Sequence, residues 1–414
     1  MTGEKNIAKN RKPSPFVLAL FCFLALNAIL VSTQPFSLDA YKFPYKGWSW
    51  WSMKDLTSNN DTHNVLFLGS SLSVSALNSA DATYLGKSLD MVEYHRVKCL
   101  DHKLENRFGG TFSTFNLSAP GQMPSDAFLS VKASVKAGHR PDLILYGIAP
   151  RDFIDSELAS PADTEPFRFL SRLVDIDDRS GLVYRSPLSK INHNLERQVY
   201  LYGKAVDMQM ALHDGWQSIV EACLPEPRGV KPFTYWDRVK LLPEYKAGEF
   251  HRQASMCAPS DLSKPSEYID NSAEYIERYR KPDQIAFKTQ MHFLGELAAY
   301  CKANHSELVV INMPITKDNL AILKEAPYRQ YMNGLTDFSR NSGTLVLDLN
   351  DHDIFVKEHF RDGVHMNAKG GLKFVDQLVD SLADHDRIAT TLRQSGYKLE
   401  RRIAVANKKK AKPL

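Results

Sequence analysis

Five short apolar runs, set between stretches of helical character, constrain the fold of this chain more than any other feature. Three come early, Asn64-Val-Leu-Phe-Leu68, Thr111-Phe-Ser-Thr-Phe-Asn116 and Asp142-Leu-Ile-Leu-Tyr-Gly147. Two come late, Glu307-Leu-Val-Val-Ile-Asn312 and Thr344-Leu-Val-Leu-Asp-Leu349. Most are continuously apolar rather than alternating, as strands covered on both faces must be, which is the mark of a parallel sheet. Helical segments are predicted over 80–107 and 125–138 between the early strands, 283–303 before the fourth and 328–341 before the fifth. A final helix is predicted over 368–384 with Asn367 as its N-cap. Strand alternating with helix gives an α/β three-layer αβα sandwich on a five-stranded parallel sheet. With 43% hydrophobic residues in 414, the chain has material for that core, and a mainly disordered chain is excluded.

Between the third run and the helix predicted before the fourth lie some 130 residues, about Ile154 to Lys281, mixed in composition, with helical stretches such as 189–213. No crossover needs that length, so residues 154–281 are expected to form a largely helical inserted subdomain or lid. The α/β domain is then split into 61–153 and 282–390.

At the N-terminus, a basic stretch (1–15) precedes an apolar run from Phe16 to Val31 that only Asn27 interrupts. Its length is at the short end for a membrane span and close to that of a signal peptide's apolar core. No clean small-x-small cleavage site precedes Gln34-Pro35, which favours an uncleaved signal-anchor over 16–33 with the body extracytoplasmic on the cell membrane. The linker 34–60 holds Tyr41, Tyr45, Trp48, Trp50 and Trp51, either an aromatic belt at the headgroup level or ordinary core aromatics. Net charge is +4, but the stretch from Lys398 carries seven Lys/Arg against one Glu, leaving the body slightly acidic. That argues against nucleic acid as a main partner; 391–414 reads as a basic C-terminal tail, solvated and loosely ordered from Lys398 onward. Five cysteines are too few for a disulfide scaffold. In an oxidising compartment Cys223 and Cys257 are the pair to test first, while Cys22 lies in the apolar run.

Ligands of open parallel sheets bind beyond the carboxyl ends of the strands. Gly69-Ser70-Ser71-Leu72 follows the first strand. A Ser at such a strand-to-helix turn projects its hydroxyl into the crevice, with its own N–H at a helix N-terminus facing developing negative charge. Asn116-Leu-Ser-Ala-Pro-Gly121 follows the second, where Gly121 lets the backbone approach a substrate and offer an N–H. Gly147-Ile-Ala-Pro-Arg151-Asp152 follows the third, and Arg361-Asp362-Gly-Val-His365-Met-Asn367 follows the fifth. Ser71, His365 and Asp362 would form a nucleophile, base and orienter. A lone Asp-x-x-His is more often a helix cap beside a surface histidine; the placement of all three at strand ends, in chain order, gives the set its weight.

This layout resembles the SGNH, or GDSL-type, hydrolase superfamily over roughly 60–150 and 283–385. Gly69-Ser70-Ser71-Leu72 stands where that family has Gly-Asp-Ser-Leu, Gly121 matches the block-two glycine of the oxyanion hole, and Asp362 and His365 match the terminal Asp-x-x-His. The resemblance implies a flavodoxin-like fold and acyl-ester chemistry. The anchor and the Asp-Gly-Val-His-Met-Asn ending are similar to a membrane-anchored branch that includes the teichoic-acid D-alanylation and the alginate and cellulose O-acetylation proteins. That likeness implies a cell-surface polysaccharide substrate and a multi-span membrane acyltransferase as partner. One block departs. The family's Gly-x-Asn-Asp is Gly147-Ile-Ala-Pro-Arg-Asp here, so its oxyanion-donating Asn is missing. Either Arg151 supplies the charge, or two backbone donors suffice, or the site is weakened; Arg151 equally suits an ion pair with Asp152.

No metal or cofactor is expected. His63, His102, His193, His251 and His305 lack ligand spacing, and no Gly-rich phosphate loop is present. The expectation is a membrane-anchored serine esterase or O-acyltransferase working through an acyl-serine. The alternative is a catalytically degenerate relative that binds glycan or scaffolds an export complex.

Overall fold

Strands whose two faces are both apolar fold only where helices cover both sides, and the computed structural model shows that arrangement. It describes residues 14–35, 39–42, 46–58, 61–158, 160–176, 179–223 and 256–410. Val65–Gly69 (β1), Thr114–Asn116 (β2), Leu143–Ile148 (β3), Glu307–Asn312 (β4) and Leu345–Asp348 (β5) form one sheet in the order β2-β1-β3-β4-β5. Every neighbouring pair is parallel, with Gly69 beside Gly147 and Ile311 beside Leu347. All residues of β1, β2 and β3 are buried, whereas β5 at the edge is only partly so. The strand order reverses between β1 and β3, and the crevice at such a switch point is where these folds bind ligands.

Nine of the described helices are labelled in chain order: α1 (Pro15–Thr33), α2 (Trp48–Ser58), α3 (Ser71–Leu85), α4 (Lys98–Phe108), α5 (Pro124–Lys136), α6 (Gln284–Ala303), α7 (Glu325–Ser342), α8 (Ala368–Ala383) and α9 (Asp386–Lys410). One outer layer contains α3, α4, α8 and α9, which pack on one another; the other contains α5, α6 and α7. Asn367 caps α8 as expected, its Oδ1 accepting the Gly370 N–H at 3.1 Å.

The segment predicted as one helix over 80–107 is two. Gly86 ends α3 in the left-handed conformation, and Leu89–Asp90 pairs antiparallel with Met256–Cys257 before α4 begins. Asp81 of α3 starts α4, its carboxylate accepting the N–H groups of Lys98 and Cys99 at 2.7 and 2.6 Å. The basic tail is also corrected. Residues 386–410 are a helix that buries Ile388, Leu392, Ser395 and Leu399, and its Lys398 pairs with Asp142 at the foot of β3. Of the linker aromatics, Trp48 and Trp50 are core. Trp48 packs with Val74, Val92 and Ala119 and donates its indole N–H to the Ser118 carbonyl at 3.1 Å, so neither ring is free for a headgroup belt. Tyr45 lies outside the described residues.

By contacts the chain divides into two units. One takes the described parts of 45–184 and 241–414 and carries the sheet; the other takes those of 1–44 and 185–240. The region read from sequence as one insertion is thus shared between them. In the second unit α1 is long and apolar enough to cross a membrane, and none of its residues is buried. Beside it are the helices Pro187–Gln198, Tyr200–Gly203 and Ala205–Cys223. The cysteine pair singled out from sequence is absent. Cys223 and Cys257 belong to different units and both are free thiols, the latter with Sγ 3.8 Å from the Ser79 hydroxyl.

Candidate active site

The strand-to-helix turn at the end of β1 sets the first group. Ser70 is the extended N-cap of α3, and Ser71 is its first residue. The N–H of Ser71 therefore belongs to the first turn, which has no intrahelical acceptors. The loop after β2 holds this turn from the side. Gly69 donates its N–H to Gln122 Oε1 at 2.7 Å, and its carbonyl accepts from Ala119 at 2.9 Å.

The second group comes from the loop between β5 and α8. Its rim is a tight hairpin, with Phe360 bridging Met366 and the Arg361 N–H donating to the His365 carbonyl at 2.9 Å. Asp362 Oδ1 accepts the N–H groups of Val364 and His365 at 3.0 and 2.8 Å, leaving Oδ2 to accept from His365 Nδ1 at 2.8 Å. The other ring nitrogen, Nε2, lies 2.8 Å from Ser71 Oγ. A continuous line of hydrogen bonds thus runs from carboxylate to imidazole to hydroxyl across 294 residues of sequence. Burial works to raise the Asp362 pKa. The hydrogen bond and charge of His365, with the two backbone N–H groups, outweigh it and hold the carboxyl below its ordinary value.

Gly121 and Arg151 lie beside each other. Gly121 has φ +78°, a conformation that a β-carbon would strain, and a β-carbon placed there would lie 3.7 Å from Arg151 Nη2. The rest of the guanidinium is occupied. Nε donates to Asp155 at 3.1 Å and Nη1 to Asp152 at 3.4 Å, while Arg278 donates to Asp155 at 2.6 Å. The ion pair expected for Arg151 is present, Nη1 with Asp152, and Nη2 is the nitrogen left beside Gly121. Asp152 is fully buried; burial pushes its pKa up to about 6 against the pull of Arg151, the Ala149 N–H and the Ser70 hydroxyl. It therefore ties the arginine to the nucleophile turn.

Sequence reasoning passed over the residues that brace these loops. Thr316, just after β4, donates both its N–H and its hydroxyl to the Gly363 carbonyl at 3.1 and 2.9 Å. Asn271 accepts the Gly363 N–H at 2.9 Å, and Ile269 donates to the Arg361 carbonyl. The helix Ser272–Arg278 follows, with Tyr275 buried. The one available signal was position, since Thr316 also follows a strand.

No family model and no curated protein matches this chain. Among solved structures, it is similar to a candidate acylhydrolase from Bacteroides fragilis at 10% identity and a TM-score of 0.33, over 82% of this chain and 95% of that one. A catalytic mutant of an acetylxylan esterase from Geobacillus stearothermophilus is similar at 9% identity and a TM-score of 0.32, over 78% and 95%. At these scores, any assignment of chemistry has to come from this chain's own atoms.

Proposed function

We propose that the protein is a membrane-anchored serine acyl enzyme of SGNH type, with α1 as the anchor and the sheet-bearing unit outside the cytosol. The hydrogen-bonded line Asp362–His365–Ser71 is the observation that carries the chemistry. In the first half-reaction His365 Nε2 takes the Ser71 hydroxyl proton as Oγ attacks the carbonyl carbon of an ester. The negative oxygen that develops faces the Ser71 and Gly121 N–H groups and the Arg151 guanidinium. Collapse breaks the bond to the leaving alkoxide, which departs with the proton from His365, and an acyl-serine remains. In the second half-reaction His365 takes a proton from an incoming hydroxyl, which attacks the acyl-serine; the bond to Oγ breaks and His365 returns that proton to Ser71. Asp362 keeps the imidazole in one tautomer and stabilises its charged form.

Water as the second hydroxyl makes the protein an esterase; a sugar hydroxyl makes it an O-acyltransferase. Anchoring favours transfer to a cell-surface polysaccharide beside a multi-span membrane acyltransferase. Against the degenerate reading, the Arg151 nitrogen beside Gly121 is taken to donate in place of the missing block-three Asn. The test is a fluorophosphonate probe on the full chain in detergent, with adduct mass read on the peptide that holds Ser71. Labelling lost in Ser71→Ala and His365→Ala supports the proposal; an unlabelled wild type beside a labelled control esterase refutes it. Acetyl release with and without an oligosaccharide acceptor then separates hydrolysis from transfer.

A further inference from the structure

The apolar run of α1 contains one polar residue, Asn27, six residues before Thr33. At 1.5 Å per residue it sits about 9 Å inside the C-terminal end of the helix. An amide at that depth is costly in hydrocarbon unless both of its ends are hydrogen-bonded. Both are. Nδ2 donates to the Gln198 carbonyl at 2.6 Å, and Oδ1 accepts the Tyr200 N–H at 2.8 Å. Those two backbone groups lie at the break where the helix Pro187–Gln198 ends and Tyr200–Gly203 begins, the place where helices leave polar groups unpaired. Asn27 and Leu30 are also the two residues of α1 that are half-buried. The polar gap in the span and the polar gap between the two helices therefore satisfy each other.

The helices that flank this break carry apolar side chains outward. Leu188, Ile191 and Leu195 recur at helical spacing on the first, Leu201 follows, and Leu212, Trp216 and Ile219 recur on Ala205–Cys223. Leu188 and Leu212 are 76% and 72% exposed, far beyond what a water-facing helix needs. Lys190 and Arg197 lie off that stripe, where cations meet lipid headgroups. Amphipathic helices that rest on a bilayer bury their apolar face roughly 5–10 Å into the boundary between headgroups and acyl chains, the depth at which Asn27 holds this break.

We infer that residues 187–219 form an interfacial module docked to α1 through Asn27, with the acyl chains of the leaflet reached by the C-terminal end of α1 covering its apolar face. The inference rests on α1 as a span and is independent of the acyl chemistry. The full chain is placed in phosphatidylethanolamine–phosphatidylglycerol vesicles containing a lipid with a photoactivatable diazirine on its acyl chain, and adducts are mapped by mass spectrometry. Adducts are expected on the peptides of α1 and of 187–219, and none on the outer face of α4. In a Leu188→Asp/Leu195→Asp/Leu212→Asp variant the adducts on 187–219 drop to background, while those on α1 persist. Labelling of α1 with 187–219 bare in the wild type overturns the module and leaves the span standing. Absence from both overturns the span and the module together. Retention of the 187–219 adducts in the triple variant shows that the apolar stripe is not what meets lipid, and also overturns the inference.

Discussion

Both oxygens of Asp362 are engaged within a single turn, and that division of labour decides what its replacement does. Oδ1 holds the backbone of Val364 and His365, and Oδ2 holds the imidazole. Asp362→Asn can keep the turn but offers the ring an amide, which selects the wrong tautomer. The expected loss in kcat for an ester such as p-nitrophenyl acetate is about 10⁴-fold, the scale seen when the orienting carboxylate of a serine triad becomes an amide. A variant within tenfold of wild type would show that His365 needs no orienter. For Arg151→Met the expectation is a fall in kcat of about 10²–10³-fold, the cost of one oxyanion donor, with a smaller change in KM. Stability falls as well, because Asp152 loses its cation in the interior and Asp155 keeps only Arg278. A variant that unfolds earlier in urea but turns over normally would assign Arg151 to structure alone. Ser71, His365 and Asp362 were legible in the sequence because the serine follows the first strand and the other two lie between the last strand and the helix after it. The ion-pair cluster of Arg151 was not, since it depends on Asp155 and on Arg278, which is 123 residues beyond Asp155.

At the scale of elements, the distance between His365 and Ser71 is set by how α8 lies on α3. A β-carbon on Gly371 would come within 2.2 Å of the Ala76 carbonyl oxygen, so the two helices touch backbone to backbone. Ser75 of α3 donates its hydroxyl to the Met366 carbonyl at 2.9 Å, next to His365. Gly371→Val should push the helices apart, cost roughly 1–3 kcal/mol as over-packed cores do, and lower kcat by drawing His365 from Ser71. Urea unfolding and turnover measured together check this; a stable, active Gly371→Val variant would mean that α8 does not fix the site. The strands were readable because burial on both faces leaves a continuous apolar run. The C-terminal helix α9 was not, since its seven basic residues beyond 397 mask the three- and four-residue spacing of Ile388, Leu392, Ser395 and Leu399. Leu392→Ala, at a fully buried position, is expected to cost about 2–5 kcal/mol. A chemical-denaturation midpoint equal to that of wild type would return α9 to the status of a solvated tail.

For the whole molecule, the balance of buried acids fixes how stability varies with pH. Burial pushes Asp126 up to about 8 and Glu165 up to about 7, against the hydrogen bonds of Met123 and Thr164 to the first and of Ser49 to the second. The charge of Glu165 adds to the rise at Asp126, so the two titrate as a pair. Burial likewise raises Asp101 and Asp152, each to about 6. In the unfolded chain such groups ionise near pH 4. From there to about pH 8 the folded protein holds protons that the unfolded chain has released, so stability declines as pH rises, by up to about 1.4 kcal/mol per pH unit for each group. Asp362 and Asp55 act in the opposite sense. Both are held below their ordinary values, Asp55 by His95 and Arg96 against its burial, so their stabilisation is lost as pH falls through those depressed values. The thermal midpoint should therefore peak in the mildly acidic range and fall steadily toward pH 8. Asp126→Asn retains an acceptor for the Met123 N–H and removes the ionisation, while the Thr164 hydroxyl keeps the Pro161 carbonyl as an acceptor, so its profile should be flatter above pH 6 and cross that of wild type. Parallel profiles for the two proteins from pH 5 to 8.5 would show that Asp126 does not hold its proton in the fold.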